Sequence, residues 1–457
     1  MVETIKQSLR ESKSWRWITL CLVSITMLWA YFFEKVVSAI KPALESHQGW
    51  TSTQFGIFRF SYMWLTVFAG MLVVGGIILD KKGIRFTGVM ATIVMLAGAF
   101  LCYLAVSAGF EVSTQVWVAS AGFAMFCCGD EVAGITVSKV IIKWFKGKSL
   151  ALAMGLQVAI ARMGTGLALL VGLPLVTFGV THPSVGRPIF AGMILLAVGM
   201  MAFIVYTGVD KKLDASEPTA AVATEDSPKK DEDAFKISDI FVILKNQGFW
   251  LIAVLCVLFY SAVFPYLDFA TELMLNKYGF SEKWAGVIPS LLPFGTILLT
   301  PVFGTIYDRK GKGATIMAIG AVLLIIVHII FSIPALVHWG WALFAVLLLG
   351  VSFSLVPSAM WPSVPKLIPE KQLGTAYSMI FFIQNIGLGL VPLLIGWVLD
   401  KYCITEAFRL GIDGPKYDYT IPMVIFTVFG ILALIVAMML KATDGKKGYG
   451  LELPNIK

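Results

Sequence analysis

Apolar stretches recur along this chain, each long enough to demand a lipid environment. A membrane-spanning helix needs about 20 predominantly apolar residues to cross the hydrocarbon layer. The first half offers six such stretches, near residues 17–40, 55–79, 86–108, 115–143, 149–179 and 188–209. The second half offers six more, near 248–275, 284–307, 313–335, 340–366, 373–400 and 420–441. In hydrocarbon every backbone N–H and C=O must be satisfied within its own segment, so stretches of this length fold as helices. Only 14% of the 457 residues are charged and 58% are hydrophobic, with a mean hydropathy of +0.83. A soluble domain carries about 25% charged residues, and one core of this length could not enclose so much apolar surface. The pattern predicts an all-α polytopic membrane protein of twelve transmembrane helices.

The formal net charge is +8, but the basic residues sit in short loops between spans rather than in a patch suited to nucleic acid. Lys81, Lys82 and Arg85 follow span 2; Lys143, Lys146 and Lys148 follow span 4; Arg309, Lys310 and Lys312 follow span 8. These loops share one side, together with both termini, and by the positive-inside rule that side is cytoplasmic. Residues 210–237, rich in Pro, Ser and mixed charge, read as a linker between an N-terminal bundle (1–209) and a C-terminal one (238–457). The following Ser238–Asn246 segment reads as a short helix at the membrane surface. The first span lacks a small-residue cleavage site and is expected to stay as a helix.

The halves repeat each other. Gly76-Ile-Ile-Leu-Asp80-Lys81-Lys82-Gly83 after span 2 matches Gly304-Thr-Ile-Tyr-Asp308-Arg309-Lys310-Gly311 after span 8. Arg162-Met-Gly164-Thr-Gly166-Leu167 in span 5 matches Asn385-Ile-Gly387-Leu-Gly389-Leu390 in span 11. A glycine at such a helix end is expected to admit close helix approach, and the carboxylate to bond a neighbouring helix and basic side chains. Asp80, Lys81, Arg85, Asp308 and Arg309 are therefore candidate gating residues, against the simpler reading of solvated turns that only set topology. Asp400 echoes the motif at the other end of span 11 and is given no gating role.

Ionisable groups deep in a span cost about 2.5–3.5 kcal/mol or more, so each needs a reason. Glu131 in span 4 and Arg162 in span 5 lie 16 and 15 residues from Gly147, in the turn between them. On antiparallel helices that places both about 22–24 Å from the turn, well inside the membrane. Two readings stay open: a structural ion pair, or a clamp for a zwitterion in which Arg162 grips a carboxylate with two parallel bonds and Glu131 receives an ammonium. Asp130 is about 100° round the helix from Glu131, so only one of them faces a cavity squarely. Tyr260, Tyr266, Trp361, Gln384 and Asn385 are further candidate lining residues; Asn385 occupies the repeat position of Arg162. Glu34, Asp130 and Asp268 are candidates for proton coupling. Pro265 and Pro362 are expected to break or kink their helices.

The duplicated Gly-x-x-x-Asp-Arg/Lys-x-Gly loop resembles the signature of the major facilitator superfamily. That resemblance implies the major facilitator fold, two pseudo-symmetric six-helix bundles with substrate bound near mid-membrane between the halves. Further runs resemble one branch of it, the dipeptide transporters found in lysosomes and their prokaryotic relatives. They are Gly129-Asp-Glu131, Trp144-Phe-Lys-Gly-Lys148, Gly155-Leu-Gln through Arg162-Met-Gly164, Val263-Phe-Pro265, Trp361-Pro362, Pro369 through Tyr377, and Ile383-Gln-Asn385-Ile-Gly387-Leu. The resemblance implies that Glu131 and Arg162 contact the peptide termini and that Trp361 lines the site. Trp361, Tyr377, Gln384 and Asn385 would complete it. Asp130 stands where the branch tends to have Gly, Glu34-Lys35-Val36-Val37 replaces its Tyr-Asp-Asn-Pro run, and Arg59 and Asp268 are additional charges.

The leading expectation is a secondary transporter of dipeptides working by alternating access, as a uniporter or coupled to protons. The alternative cargo is an amino acid or organic anion read by Arg59 and Arg162. A non-transporting receptor is a rival of another class. An enzyme is disfavoured, because no nucleophile–base pattern or metal-ligand spacing occurs and there are only four histidines. No cofactor, catalytic residue or metal is expected. The partners expected are a dipeptide-like solute and the bilayer, with no nucleic acid and no second subunit. The six cysteines read as small apolar residues. No Asn-x-Ser/Thr sequon or acidic dileucine signal appears, so a prokaryotic cytoplasmic membrane is the expected home.

Overall fold

The computed structural model describes residues 12–145, 149–179, 181–216, 243–369 and 372–455. No strand forms among the described residues; one isolated bridge joins Ile404 and Tyr417. The first sequence half gives α1 (Lys13–Ala39), α2 (Lys41–Gln48), α3 (Ser52–Phe60), a π-turn (Trp64–Phe68), α4 (Met71–Ser107), α5 (Val112–Phe145), α6 (Leu150–Val171), the single turn α7 (Pro174–Thr177) and α8 (Gly186–Ser216). The second gives α9 (Gln247–Tyr278), α10 (Val287–Lys310), α11 (Gly313–Ser332), α12 (Trp339–Leu367), α13 (Leu373–Tyr402), the short α14 (Glu406–Arg409) and α15 (Thr420–Lys447).

Ten of the described helices are long and apolar enough to cross a membrane. One of them, α4, carries parts of two expected spans, joined at Gly83 with φ 77° and ψ 173°. An L side chain there would be strained, so the motif's last glycine is what turns the chain between spans. The remaining expected span is α5, long enough to cross but loaded with Asp130, Glu131, Lys139 and Lys143. The second span is itself broken, passing through α3 and the π-turn before α4. Most of the expected 210–237 linker lies outside the described residues, as does most of the expected surface helix 238–246. Residues 210–216 continue α8, anchored by Asp210 and Asp214, which bond Arg85 and Lys143.

The chain divides into two compact units. The first comprises Met1–Val36, Trp64–Thr165 and Gly186–Ala234; the second comprises Val37–Met63, Gly166–Val185 and Phe235–Lys457. Compactness thus groups residues 37–63 and 166–185 with the C-terminal half of the sequence rather than with the expected bundle 1–209.

In the first unit α4 and α5 pack backbone to backbone. A Cβ on Gly122 would lie 2.6 Å from the Gly98 carbonyl oxygen, and one on Gly129 would lie 2.7 Å from that of Ala91. Small residues at these positions let dispersion contacts replace the hydrophobic drive that lipid cannot supply. Helix α1 packs on α5 through Phe33 and Phe126, with ring centroids 4.7 Å apart. It packs on α6 where Gly164 abuts the backbone of Leu28 and Phe32. The expected close approach at the motif glycines is absent: a Cβ on Gly76 or Gly304 would meet nothing within 4 Å. The contact falls one residue earlier in the first copy, where Gly75 meets the Val132 side chain.

In the second unit His328 Nε2 bonds the Ala262 carbonyl at 3.0 Å, tying α11 to α9. Pro265 lies inside α9, and Pro357, Pro362 and Pro365 lie inside α12, each within an unbroken helix. Of the expected break or kink at Pro265 and Pro362, a break does not occur, because surrounding helices hold the proline turns in place. The C-terminal tail docks on the first turn of α11: Glu452 bonds the Thr315 N–H at 2.9 Å and its hydroxyl at 2.8 Å.

Candidate functional site

Glu131 lies 14 residues before the end of α5, and Arg162 lies 12 residues after the start of α6. At 1.5 Å per residue both sit about 20 Å from that end of the bundle. Each is half-buried. Between them runs α1, which presents Tyr31 and Glu34 three residues apart, neighbours on one helical face. Tyr31 lies within electrostatic reach of Asp130, Glu131, Glu34 and Arg162, so the structure brings these four side chains near one hydroxyl. Glu34 also touches Lys35 at 3.5 Å, and Lys35 is buried. One carboxylate oxygen of Asp130 is shut off from solvent and has no hydrogen-bond partner among the described residues. Sequence spacing placed Glu131 level with Arg162; it gave no sign that Tyr31 stands among them.

The candidate gating residues fall at the loop end of this unit. Asp80 bonds Lys139 of α5 at 2.8 Å, both side chains exposed. Arg85 bonds Asp210 at 2.8 Å and also Asp214 on α8. Lys143 reaches the same two acids at 2.9 Å and 2.8 Å, and the Tyr206 hydroxyl donates to Asp210. Arg85 thus pairs with α8, not with Asp80, because α4 turns at Gly83 between them. Lys81 is exposed. In the second copy Asp308 accepts from the Asn455 side chain at 2.8 Å, and Arg309 is exposed.

In the second unit an aromatic group forms around Trp361. Its indole N–H donates to the Tyr260 hydroxyl at 3.0 Å, and its ring stacks on Phe381 at 4.9 Å. The Tyr377 hydroxyl donates to the Trp361 carbonyl at 3.1 Å. That carbonyl is the one Pro365 leaves without its helical donor, so Tyr377 repairs a proline gap as well as flanking the indole. Gln384 and Asn385 are buried on α13, and Gln384 accepts from Cys256 at 3.2 Å. Tyr266 is fully buried against His328 and Phe331; it is a packing residue and leaves the set of candidate lining groups.

A second charged constellation was not anticipated from sequence. Lys41, which is fully buried, donates to Glu45 at 2.6 Å, to Ser52 at 2.7 Å and to Glu272 of α9. Glu45 also accepts from Lys416 at 2.5 Å and from the Ser52 hydroxyl at 2.6 Å. Tyr419 donates to Glu272. The rings of Phe55, Phe269 and Tyr417 close over the Lys41 ammonium at 5.3–5.7 Å, which favours the cation. Burial opposes ionisation of Glu45, but Lys41 and Lys416 outweigh it and hold its pKa at about 2. Burial likewise opposes the charge on Lys41, and Glu272 and Glu45 override it, raising its pKa.

Nearby, Arg59 bonds Asp268 at 3.1 Å, and the Ser38 hydroxyl donates to the other Asp268 oxygen at 2.9 Å. Asp268, expected as a proton-coupling candidate, therefore sits in an ion pair with both oxygens bonded. Asp400 accepts from the backbone N–H groups of Ser52 and Thr53 at 3.1 Å and 2.6 Å, and from the Tyr417 hydroxyl at 2.9 Å. It caps the start of α3, where unsatisfied N–H groups and the helix dipole favour an anion. In the sequence Arg59, Asp268 and Asp400 stood out singly, while Lys41, Glu45, Glu272 and Lys416 did not.

Two six-span sequence halves, duplicated basic loops and buried charges in an all-α membrane chain define a class, the solute transporters. The Major Facilitator Superfamily model matches residues 20–392, and the chain belongs to that superfamily. It is a multi-pass membrane transporter rather than an enzyme. More particularly, it is 26% identical over 405 residues to the lysosomal dipeptide transporter MFSD1 of Homo sapiens, covering 87% of this chain and 83% of that one. With the Gallus gallus form it shares 30% identity over 302 residues, 64% of this chain and 65% of that one. The expected resemblance to the dipeptide-transporting branch thus holds. A point variant of the nucleoside transporter NupG superposes with a TM-score of 0.72 at 14% identity, covering 93% of this chain and 99% of that one. A point variant of the peptide transporter POT with bound sulfate superposes at 0.66 and 15% identity, covering 94% and 95%. At such identities the structural likeness shows the fold alone.

Proposed function

We propose that this chain moves dipeptides across the membrane by alternating access, with Arg162 holding the peptide carboxylate and Glu131 its ammonium. The observation that carries this reading is the gathering of Glu131, Arg162 and Tyr31 about 20 Å inside the first unit, half-buried rather than sealed. Deep charges of opposite sign suit a zwitterion, because a site that bonds both termini strongly rejects ligands lacking either. Similarity to relatives named as dipeptide transporters points the same way. Trp361, Tyr377, Gln384, Asn385 and Tyr260 are proposed substrate contacts of the second unit, and Asp80, Lys81, Arg85, Asp308 and Arg309 proposed gating residues. The basic loops are proposed to face the cytoplasm, in a prokaryotic inner membrane, with the protein acting as a monomer.

The alternative cargo, an organic anion read by Arg59 and Arg162, is weakened by the commitment of Arg59 to Asp268. Arg162→Ala is expected to cut dipeptide uptake into proteoliposomes about 100-fold or more, the loss of a buried charge-assisted pair. Arg162→Lys should rescue it poorly, since a point charge replaces a planar fork. Undiminished uptake by a folded Arg162→Ala protein rejects the clamp. Thermal stabilisation by single amino acids or dicarboxylates, and not by dipeptides, would reject the cargo.

A further inference from the structure

Beside the Arg85 ion pairs, the first unit leaves a groove between two of its helices. Helices α4 and α8 meet where the Phe203 ring fills the space that a Cβ on Gly88 would take. Along that contact runs a hollow of about 470 Å³. Its α4 wall is Phe86, Val89, Met90, Ile93 and Val94, which recur every three or four residues and so form one stripe. Thr207 and Lys211, four residues apart on one face of α8, line the other side. Phe86 and Ile93 are each 53% exposed, the condition of side chains that meet lipid tails rather than protein. The charges gather at one end. Arg85 begins the α4 stripe just past the Gly83 turn, and Lys211 follows Asp210, the acid that Arg85 bonds. From Arg85 to Val94 the stripe rises about 13 Å at about 1.5 Å per residue. That is close to half of a hydrocarbon core about 30 Å thick.

A cationic mouth above an apolar trough one leaflet deep fits a ligand with an anionic head and a hydrocarbon tail. We propose that this groove is a binding site for an anionic phospholipid, its phosphate held by Arg85 and Lys211 and one acyl chain laid along Phe86, Val89 and Ile93. Arg85 gives Nε to Asp210 and one terminal nitrogen to Asp214. A guanidinium carries five N–H donors in a planar fork suited to phosphate, so further ones remain. Lys211 is exposed, and no acid among the described residues pairs with it. Basic pockets between membrane helices at the headgroup level select anionic lipids over zwitterionic ones. A free phosphate would satisfy the mouth and leave the apolar trough uncovered, which is why the site takes a lipid. The bound headgroup would brace the Arg85, Lys143, Asp210 and Asp214 pairs that tie α4 and α5 to α8. None of this depends on the identity of the transported solute.

The test uses the full-length protein, delipidated in detergent and examined by native mass spectrometry and thermal melting. Dioleoyl phosphatidylglycerol should be retained as an adduct and raise the melting temperature by several degrees; dioleoyl phosphatidylcholine should do neither. Lys211→Gln should weaken retention about fivefold, the contribution of one cation near a lipid phosphate. Val89→Trp, which fills the trough and leaves both cations, should weaken it at least as much. Lys310→Gln, an exposed basic residue after α10, should change nothing. Equal retention of the two lipids, or full retention by Lys211→Gln, overturns the proposal. So does an equal loss in Lys310→Gln, which would reduce the binding to diffuse attraction by basic loops. Stabilisation by glycerol 3-phosphate as large as that by the lipid would assign the mouth to a soluble phosphate instead. A dimer without lipid adducts would assign the groove to a second copy of the chain.

Discussion

Each unit buries a cluster of charges, and the two are balanced differently. In the second, Lys41 and Lys416 face Glu45 and Glu272, and Arg59 faces Asp268; acids and bases match one for one. Hydroxyls from Ser38, Ser52 and Tyr419 satisfy further lone pairs. In the first, one buried Asp130 oxygen has no hydrogen-bond partner among the described residues. A saturated network has nothing left to offer a ligand and acts as a staple, here holding α2 and α3 to α9 and the loop before α15. An unsaturated one stores unmet bonding capacity, which is what a solute or proton site requires.

The comparison breaks most readily at Lys41. Lys41→Met leaves Glu45 with Lys416 and takes the Lys41 ammonium from Glu272, and is expected to destabilise the protein by about 3–5 kcal/mol, the usual cost of orphaning a buried charge. Adding Glu272→Met restores the balance, so the double variant should melt above the single one. A double variant no better than Lys41→Met would show that the network is not a matched set.

Acid probes the same network. Glu45 is held at about 2, below its ordinary 4.5, so its contribution is fully present above the ordinary value and lost as pH falls through about 2. At roughly 1.4 kcal/mol per unit the loss is about 3 kcal/mol. Glu45→Gln should flatten the melting temperature over that window, and an unchanged acid profile would count against the pairing. A smaller effect is expected at Asp268→Asn, which keeps two acceptor or donor atoms beside Arg59 but removes the charge, costing about 1–3 kcal/mol in denaturation midpoint.

The smallest effect carries the opposite sign. Asp130→Asn puts a neutral amide where a buried carboxylate oxygen has no hydrogen-bond partner among the described residues, and should leave thermal stability unchanged or raise it by up to about 1 kcal/mol. Marked destabilisation of this variant would mean that Asp130 is as well satisfied as Asp268, and the contrast between the units would fall.

Much of the fold was legible because a helix in lipid satisfies its backbone within its own segment, making hydropathy a local record of structure. The duplicated Asp80 and Asp308 loops and the shared depth of Glu131 and Arg162 were readable for the same reason: spacing along two helices converts directly into height. Partner choice was not. Arg85 sits beside Asp80 in sequence yet pairs with Asp210, since Gly83 turns the chain between them. The glycine that packs closely is Gly75, not the motif's Gly76.

The sequence by itself determined that this chain is a helical membrane transporter, which stretches cross, and at what height its deep charges lie. Only the tertiary structure decided which charges are spoken for. Lys41 meets Glu272 across 231 positions of sequence, a match made by packing rather than by periodicity. Ionic interactions depend on distance and burial together, and both become defined only once distant segments are brought side by side.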